Sequence, residues 1–202
     1  MLYNYTEKEI NIFNGVKALS KSGKKIYNIT VQEIAKAAGV GKGTLYEYFS
    51  SKEDIIINAL MYFLACENLK AEEIAAADIC FKDKIYSLYD LIIKSFADGF
   101  AMVSQLAASD EMLDIPKLIS EQREYIEKVM EHRNDIIVKI LSDGVKEGAI
   151  SLDFDREYIE MAILANLSCI NQCICTPQNG HDVCQIEQKK DTAYTLLLKS
   201  LN

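Results

Sequence analysis

The sequence predicts an all-α protein of about nine helices, and three observations point there. Apolar residues recur at spacings of three and four along most of the chain, and strict alternation is scarce. Only two prolines and nine glycines interrupt 202 residues, so long helices are permitted. Serine or threonine followed three residues later by an acid occurs at Thr6–Glu9, Thr30–Glu33 and Ser51–Asp54, the pattern of a reciprocally bonded helix start. Half of the residues are hydrophobic, enough for one substantial core or two small ones.

The first helix opens at Thr6 and runs to Ser22, with Ile12, Phe13, Val16 and Leu19 as its buried stripe. Gly15 inside it costs helix propensity and predicts close packing against a neighbouring helix. Gly23 ends the helix. The loop Lys24–Ile29 carries Lys24 and Lys25, which either face DNA or form a solvated pair.

The stretch from Thr30 to Asp54 organises the chain. Thr30 and Glu33 cap a second helix whose Ile34, Ala35 and Ala38 share one face. Gly39 stands where that helix must stop in a left-handed conformation, which glycine adopts without a Cβ penalty. Val40 plugs the corner, and Gly41 serves as the next N-cap. Leu45 and Phe49 form the inner face of the third helix, leaving Lys42, Gly43, Thr44, Tyr46, Glu47 and Tyr48 outside. Two helices joined this way make a helix-turn-helix, whose second helix enters a DNA major groove. Ser51, with Asp54 at the reciprocal position, starts a fourth helix at once. Lys52 in its first turn opposes the helix dipole, so a nearby phosphate would compensate it.

The fourth helix runs through Ile55, Ile56, Leu60, Phe63 and Leu64 to about Ala76, too long to belong to a headpiece alone. A fifth covers Phe81–Ala97, with Ile85, Leu88, Leu91, Ile92 and Phe96 inward. Gly99–Ala108 is a short sixth, and Asp110–Pro116 a break. The seventh, Lys117–Lys146, carries Ile119, Ile126, Met130, Ile137 and Leu141, with Gly144 and Gly148 marking its end. The eighth, Asp155–Cys175, is apolar nearly all round, so it is expected to be covered on several sides. After the loop Thr176–Asp182, a last helix shows Val183, Ile186, Ala193, Leu197 and Leu201.

The segment Thr30–Asp54 resembles the DNA-binding signature of the tetracycline-repressor (TetR) family. Thr30, Ile34, Ala35, Ala38, Gly39, Val40, Gly43, Thr44, Leu45, Tyr46, Tyr48, Phe49, Lys52 and Glu53 carry the match. Gly41 departs from it, standing where the family often has a serine cap, and the loop Lys24–Ile29 is longer than the family's. The resemblance covers the chain up to about residue 60; beyond it, only length and helical character agree. It implies a helix-turn-helix DNA-binding domain over residues 1–52 and an effector-binding and dimerisation domain over 53–202. It places Thr30, Lys42, Thr44, Tyr46, Tyr48 and Lys52 against DNA, with Gly43 admitting close backbone approach. It implies a ligand-responsive regulator, a repressor released from a palindromic operator in double-stranded DNA by a small apolar or amphipathic effector. The last two helices resemble the family's dimer-forming pair, and a homodimer would hold two reading heads one DNA turn apart.

Charge agrees with that division. Net charge is −8, which argues against indiscriminate nucleic-acid binding. Residues 1–56 hold eight lysines against six acids; the remainder holds 14 basic and 24 acidic residues. Residues 1–56 also contain no arginine, the residue whose planar fork most often reads guanine. Thr44 and Tyr46 offer methyl and aromatic surface suited to thymine methyl groups. An operator rich in A·T pairs, read partly through duplex shape, is therefore expected.

In the body, Tyr62, Phe63, Cys66, Phe96, Phe100, Met102, Tyr125 and Met130, with Met112, Met161 and Leu167, are either plain core or the lining of an effector pocket. Asn166 and Asn171 lie on the apolar eighth helix, where an unpaired amide is costly. Pairing with backbone, pairing with a partner subunit and pointing into the pocket all remain open for them. Cys169, Cys173, Cys175, His181 and Cys184 raise a thiol- or metal-responsive repressor as the alternative; oxidant-dependent release from DNA would support it. Their spacing matches no structural zinc pattern, so no metal and no cofactor is expected. His132 and His181 are the only histidines, and neither a phosphate-binding glycine loop nor a nucleophile elbow occurs, so no enzyme is expected. A helical ligand-binding protein without operator function is the unlike alternative, separated by retention on a palindromic duplex. Met1 is followed by polar and acidic residues, and the apolar run Ile55–Cys66 is too short to span a bilayer. A soluble cytoplasmic protein with free thiols and no membrane partner is expected.

Overall fold

The computed structural model describes residues 5–95, 123–151, 155–175 and 183–202, with the side chains of all of these but residues 27, 156, 171–175 and 183–185. Among the described residues there are eight α-helices and no strand: α1 (Glu7–Lys21), α2 (Val31–Ala38), α3 (Lys42–Tyr48), α4 (Lys52–Ala76), α5 (Phe81–Ser95), α6 (Arg123–Lys146), α7 (Arg156–Cys175) and α8 (Val183–Ser200). One 3-10 turn, Ile26–Asn28, lies between α1 and α2. The chain is all-α, as expected. The expected sixth helix at Gly99–Ala108, the break Asp110–Pro116 and the first turns of the seventh lie outside the described residues.

By packing, the chain divides into two units. One holds the described residues up to Glu67 and from Ser95 to Glu131; the other holds Asn68–Lys94 and His132–Asn202. The helix-turn-helix segment expected over residues 1–52 thus shares its unit with the N-terminal part of α4.

The first unit forms because each short helix leaves one apolar stripe that only its neighbours can cover. Ile12, Phe13 and Val16 of α1, Ile34 of α2, Leu45 of α3 and Ile55, Ile56 and Ala59 of α4 are all fully buried in one cluster. Burying a side chain of that size is worth about 1.5–3 kcal/mol, so this cluster is the main attraction holding the small helices together. Ile26 and Ile29 join it at 0% and 1% exposure, so the loop before α2 works as an apolar anchor as well as a connection. Gly15 is there for contact: a Cβ on it would lie 3.0 Å from the Ala38 amide nitrogen, so α1 and α2 cross at backbone distance.

The second unit packs Phe81, Ile85, Leu88 and Tyr89 of α5 against Ile136, Ile140 and Leu141 of α6, Ile163 and Ile170 of α7, and Ala193 and Leu197 of α8. Three polar ties fix it. The Phe81 amide donates to both carboxylate oxygens of Glu147 at 2.9 Å, which closes the start of α5 with a side chain from just past α6. Lys84, buried, donates to Ala75 O at 3.0 Å and to Asp143 Oδ2 at 2.7 Å. Asn202 accepts from the Ser151 amide at 2.8 Å and donates to Ala149 O and Leu198 O.

Two sequence expectations need correction. Gly148, at φ +68°, is the left-handed stop beyond α6, but Gly144 lies inside that helix as a packing glycine. The third capping box is displaced by one residue. Ser51 Oγ accepts from the Asp54 amide at 3.0 Å as expected, but the Asp54 carboxylate returns to the Ser50 amide and hydroxyl, at 2.9 and 3.0 Å. The turn after α3 presents residue 50 to it.

Candidate nucleic-acid interface

The turn between α2 and α3 is set locally. Thr30 Oγ1 accepts from the Glu33 amide at 3.3 Å, and the Glu33 carboxylate accepts from the Thr30 amide and hydroxyl at 2.9 and 2.8 Å. Lys24 also donates to Glu33. That bond, with the two from Thr30, holds the Glu33 carboxyl down at about 2. Of the two roles open for Lys24, the structure shows a bond to the cap of α2.

At the other end of α2, Gly39 is left-handed at φ +68° and ψ +28°, and the Val40 amide reaches back to Ala35 O at 3.0 Å. Those orphan carbonyls are thereby closed, and the chain turns within Gly39–Gly41. Gly41 caps α3 by backbone geometry alone, at an ordinary φ of −74°, with no side-chain bond.

This geometry divides α3 as its periodicity requires. Leu45 and Phe49 are buried at 0% and 5% exposure. Lys42, Gly43, Tyr46, Glu47 and Tyr48 are exposed, and Thr44 is half-buried. A Cβ on Gly43 would meet nothing within 4 Å, so the backbone there is open to an incoming surface. Lys52, half-buried in the first turn of α4, has its Nζ 3.7 Å from Glu53 Oε1. Thr30 is exposed, but its hydroxyl is already engaged at both donor and acceptor by Glu33. The seven proposed contact residues all belong to the first unit.

Of the expected effector residues, Tyr62, Phe63 and Cys66 on α4 and Tyr125 and Met130 on α6 are half-buried in that same unit. Burial, reinforced by neighbouring Cys66, pushes the Tyr62 hydroxyl up. The Lys17 ammonium lies 5.0 Å from the centre of the Phe63 ring. Phe96, Phe100, Met102 and Met112 lie outside the described residues, as does the side chain of Asn171. Asn166 belongs to the second unit and is paired within it. Its Oδ1 accepts from Tyr89 Oη at 2.6 Å and its Nδ2 donates to Ala193 O at 2.7 Å, so of the roles open to it the structure shows backbone pairing. Met161 is 64% exposed, and Leu167 packs on the second core.

The eighth expected helix is less covered than its composition suggests. Tyr158, Met161 and Leu164 of α7, with Leu196 of α8, leave between 43% and 64% of their surface exposed. Cys66, Cys80 and Cys169 are reduced thiols. Among the described residues no three His, Cys, Asp or Glu side chains group to hold a metal; Cys173, Cys175, His181 and Cys184 fall outside that description. Among the described residues no helix is long and apolar enough to cross a membrane.

Sequence reasoning did not find a chain of polar side chains that runs close to the α3–α4 corner. Tyr5, before α1, donates to Asn58 Oδ1 at 3.0 Å, and Asn58 donates to Asp54. The only signal was Asn58 itself, an amide in an otherwise apolar run.

Comparison with known proteins bears on the same residues. A family model described as "Bacterial regulatory proteins, tetR family" matches residues 26–59, which span the 3-10 turn, α2, α3 and the start of α4. Over 129 residues the chain is 30% identical to the HTH-type transcriptional repressor KstR2 of Rhodococcus jostii (strain RHA1), covering 63% of this chain and 61% of that protein's length. Over 154 residues it is 27% identical to the fatty acid metabolism regulator protein of Bacillus subtilis (strain 168), covering 75% of each. Among solved structures, FadR from Bacillus subtilis in complex with stearoyl-CoA superposes with a TM-score of 0.70 at 21% identity, over 96% of this chain and 99% of that one. Reduced NemR from E. coli does so at 0.69 and 15%, over 97% and 98%. The matched signature lies on a capped helix, a left-handed turn and a helix with an exposed outer face, so over residues 26–59 the chain carries the DNA-binding signature of the tetR family.

Proposed function

We propose that this protein is a ligand-responsive, DNA-binding transcriptional repressor without enzymatic activity, acting in the cytoplasm. The observation that carries this is the division of α3: Leu45 and Phe49 are buried while Lys42, Gly43, Tyr46 and Tyr48 face outward on the helix that the family model covers. Lys42, Thr44 and Tyr46 read base edges, and Tyr48 and Lys52 hold phosphates; Thr30 reaches a phosphate only by redirecting the hydroxyl proton that it now gives to Glu33. A homodimer through α7 and α8 covers Tyr158, Met161, Leu164 and Leu196, since an apolar surface of that kind marks an interface. It presents two α3 helices to a palindromic operator.

The effector binds beside Tyr62, Phe63, Cys66, Tyr125 and Met130, whose surfaces suit a hydrocarbon chain. The Bacillus subtilis neighbour was solved with stearoyl-CoA, so a long-chain acyl thioester is the first effector to test. Effector and operator oppose each other reciprocally, by about 1–3 kcal/mol of coupling.

Selection from random duplexes, followed by competition with stearoyl-CoA, tests the proposal. The expected result is a palindromic site with A·T-rich half-sites, released by the acyl thioester. Enrichment of no duplex at all would sink the DNA-binding function. Half-sites dominated by G·C pairs would refute the A·T preference alone.

A further inference from the structure

α4 enters the first unit through an almost unbroken apolar stretch: Ile55, Ile56, Ile57, Ala59, Leu60 and Met61 are all at or below 9% exposure. Asn58 interrupts it. Asn58 is half-buried, and an amide there is costly to the extent that its shielded groups go unpaired. Asn58 is fully used. Its Oδ1 accepts from Tyr5 Oη at 3.0 Å, and its Nδ2 donates to Asp54 O at 2.9 Å and Asp54 Oδ1 at 2.7 Å. The second carboxylate oxygen of Asp54 takes the Ser50 amide and hydroxyl.

Four side chains therefore connect the segment before α1 to Ser50, two residues beyond the end of α3. Tyr5 is fixed at the far end by its ring, edge-on to Phe13 at 4.8 Å and to Tyr62 at 5.9 Å. Burial, with Glu9 and Asp54 nearby, pushes its hydroxyl well above the ordinary tyrosine range, so it remains a donor. Ser50 lies between Tyr48 and Lys52, the two residues assigned to phosphate.

We propose that Tyr5, Asn58 and Asp54 are positioning residues for DNA binding: they hold the α3–α4 corner so that Tyr48 and Lys52 meet the backbone together, without touching DNA themselves. This rests on the DNA-binding function proposed above. A fully satisfied polar network selects one arrangement where apolar packing alone would permit several. Loosening it lowers the fraction of molecules whose corner is ready to bind, and apparent affinity falls by that fraction.

The test uses the full-length protein and the duplex selected above, with affinity expressed per folded molecule and the folded fraction measured by circular dichroism. Tyr5→Phe removes one hydroxyl, and Ser50→Ala removes the hydroxyl bond at the exposed end of the network while leaving the Ser50 amide on Asp54. Each should weaken operator binding by about tenfold while leaving the salt slope unchanged, because no phosphate contact is deleted. Tyr5→Phe should have a much smaller effect in an Asn58→Leu background, since the bond it removes is the one to Asn58 Oδ1. Wild-type affinity in both Tyr5→Phe and Ser50→Ala would overturn the proposal, as would full additivity of Tyr5→Phe with Asn58→Leu. Should Asn58→Leu not fold, the two single variants decide. Failure of the wild-type protein to bind any duplex would instead overturn the DNA-binding function.

Discussion

The Phe81 ring occupies the space that a Cβ on Gly144 would need: the built Cβ lies 2.8 Å from Phe81 Cδ2 and 2.9 Å from Cε2. Phe81 is fully buried, and its amide is held by Glu147, so the ring has nowhere to withdraw. Gly144 is therefore the means by which α5 and α6 approach each other.

Two effects oppose one another in Gly144→Ala. Helix propensity favours alanine by about 1 kcal/mol. Forcing a methyl into a filled core costs about 1–3 kcal/mol. The contact is below 3 Å and falls on the body of a ring, so overpacking should win, with a net loss of up to about 2 kcal/mol in urea unfolding. Phe81→Leu should relieve part of it. Unchanged or raised stability in Gly144→Ala would show that Phe81 can move.

Gly43 invites the same substitution with a different expected result. Nothing lies within 4 Å of its Cβ position, so Gly43→Ala should stabilise α3 by up to about 1 kcal/mol. If the backbone there approaches DNA, the methyl should weaken operator binding by about 1 kcal/mol or more, the order of one specific contact. Thermal melts and binding titrations on one preparation should therefore move in opposite directions. Improved stability with unchanged affinity would remove Gly43 from the interface.

Acid should expose the Lys24–Glu33 and Lys84–Asp143 pairs. Glu33 is held at about 2 against an ordinary 4.5, and Asp143 at about 2 against 3.8, in both cases chiefly through a lysine hydrogen bond. A carboxylate depressed in the folded state contributes stability that is complete above its unfolded value. That contribution disappears as pH falls through the folded one. The melting temperature should thus decline between about pH 4.5 and pH 2, and Glu33→Gln and Asp143→Asn should each decline less steeply. Variants whose curves run parallel to the wild type throughout would show that these bonds do not matter in solution.

Lys52 and Tyr48 should be separable by salt. Lys52→Ala should weaken binding to every duplex and flatten the logarithmic salt dependence by about one unit per subunit, because a phosphate charge is no longer neutralised. Tyr48→Phe should weaken binding without changing the slope, since only a neutral hydroxyl is lost. An unaltered slope in Lys52→Ala would place that lysine away from the backbone, where Glu53 at 3.7 Å already offers a partner.

Much of this molecule is local, and the local part was legible. Capping boxes, the left-handed Gly39 and the split of α3 into buried Leu45 and exposed Tyr46 depend on groups three or four residues apart, a distance helix geometry sets by itself. Those same features carry the candidate DNA surface, so most of it could be named from sequence. What tertiary structure alone decided is where polar groups and glycines find partners far along the chain. Gly144 looked like a helix stop and is a packing site because Phe81, sixty-three positions earlier, lies against it. Lys84 and Lys190 look like surface charges, yet both are buried and paired, with Asp143 and with Asp90 and Glu187. Asn166 is paired by Tyr89, and Asn58 by Tyr5. Periodicity reports which face of a helix is apolar; it does not say which distant residue that face meets, because that choice is made only when several helices pack together.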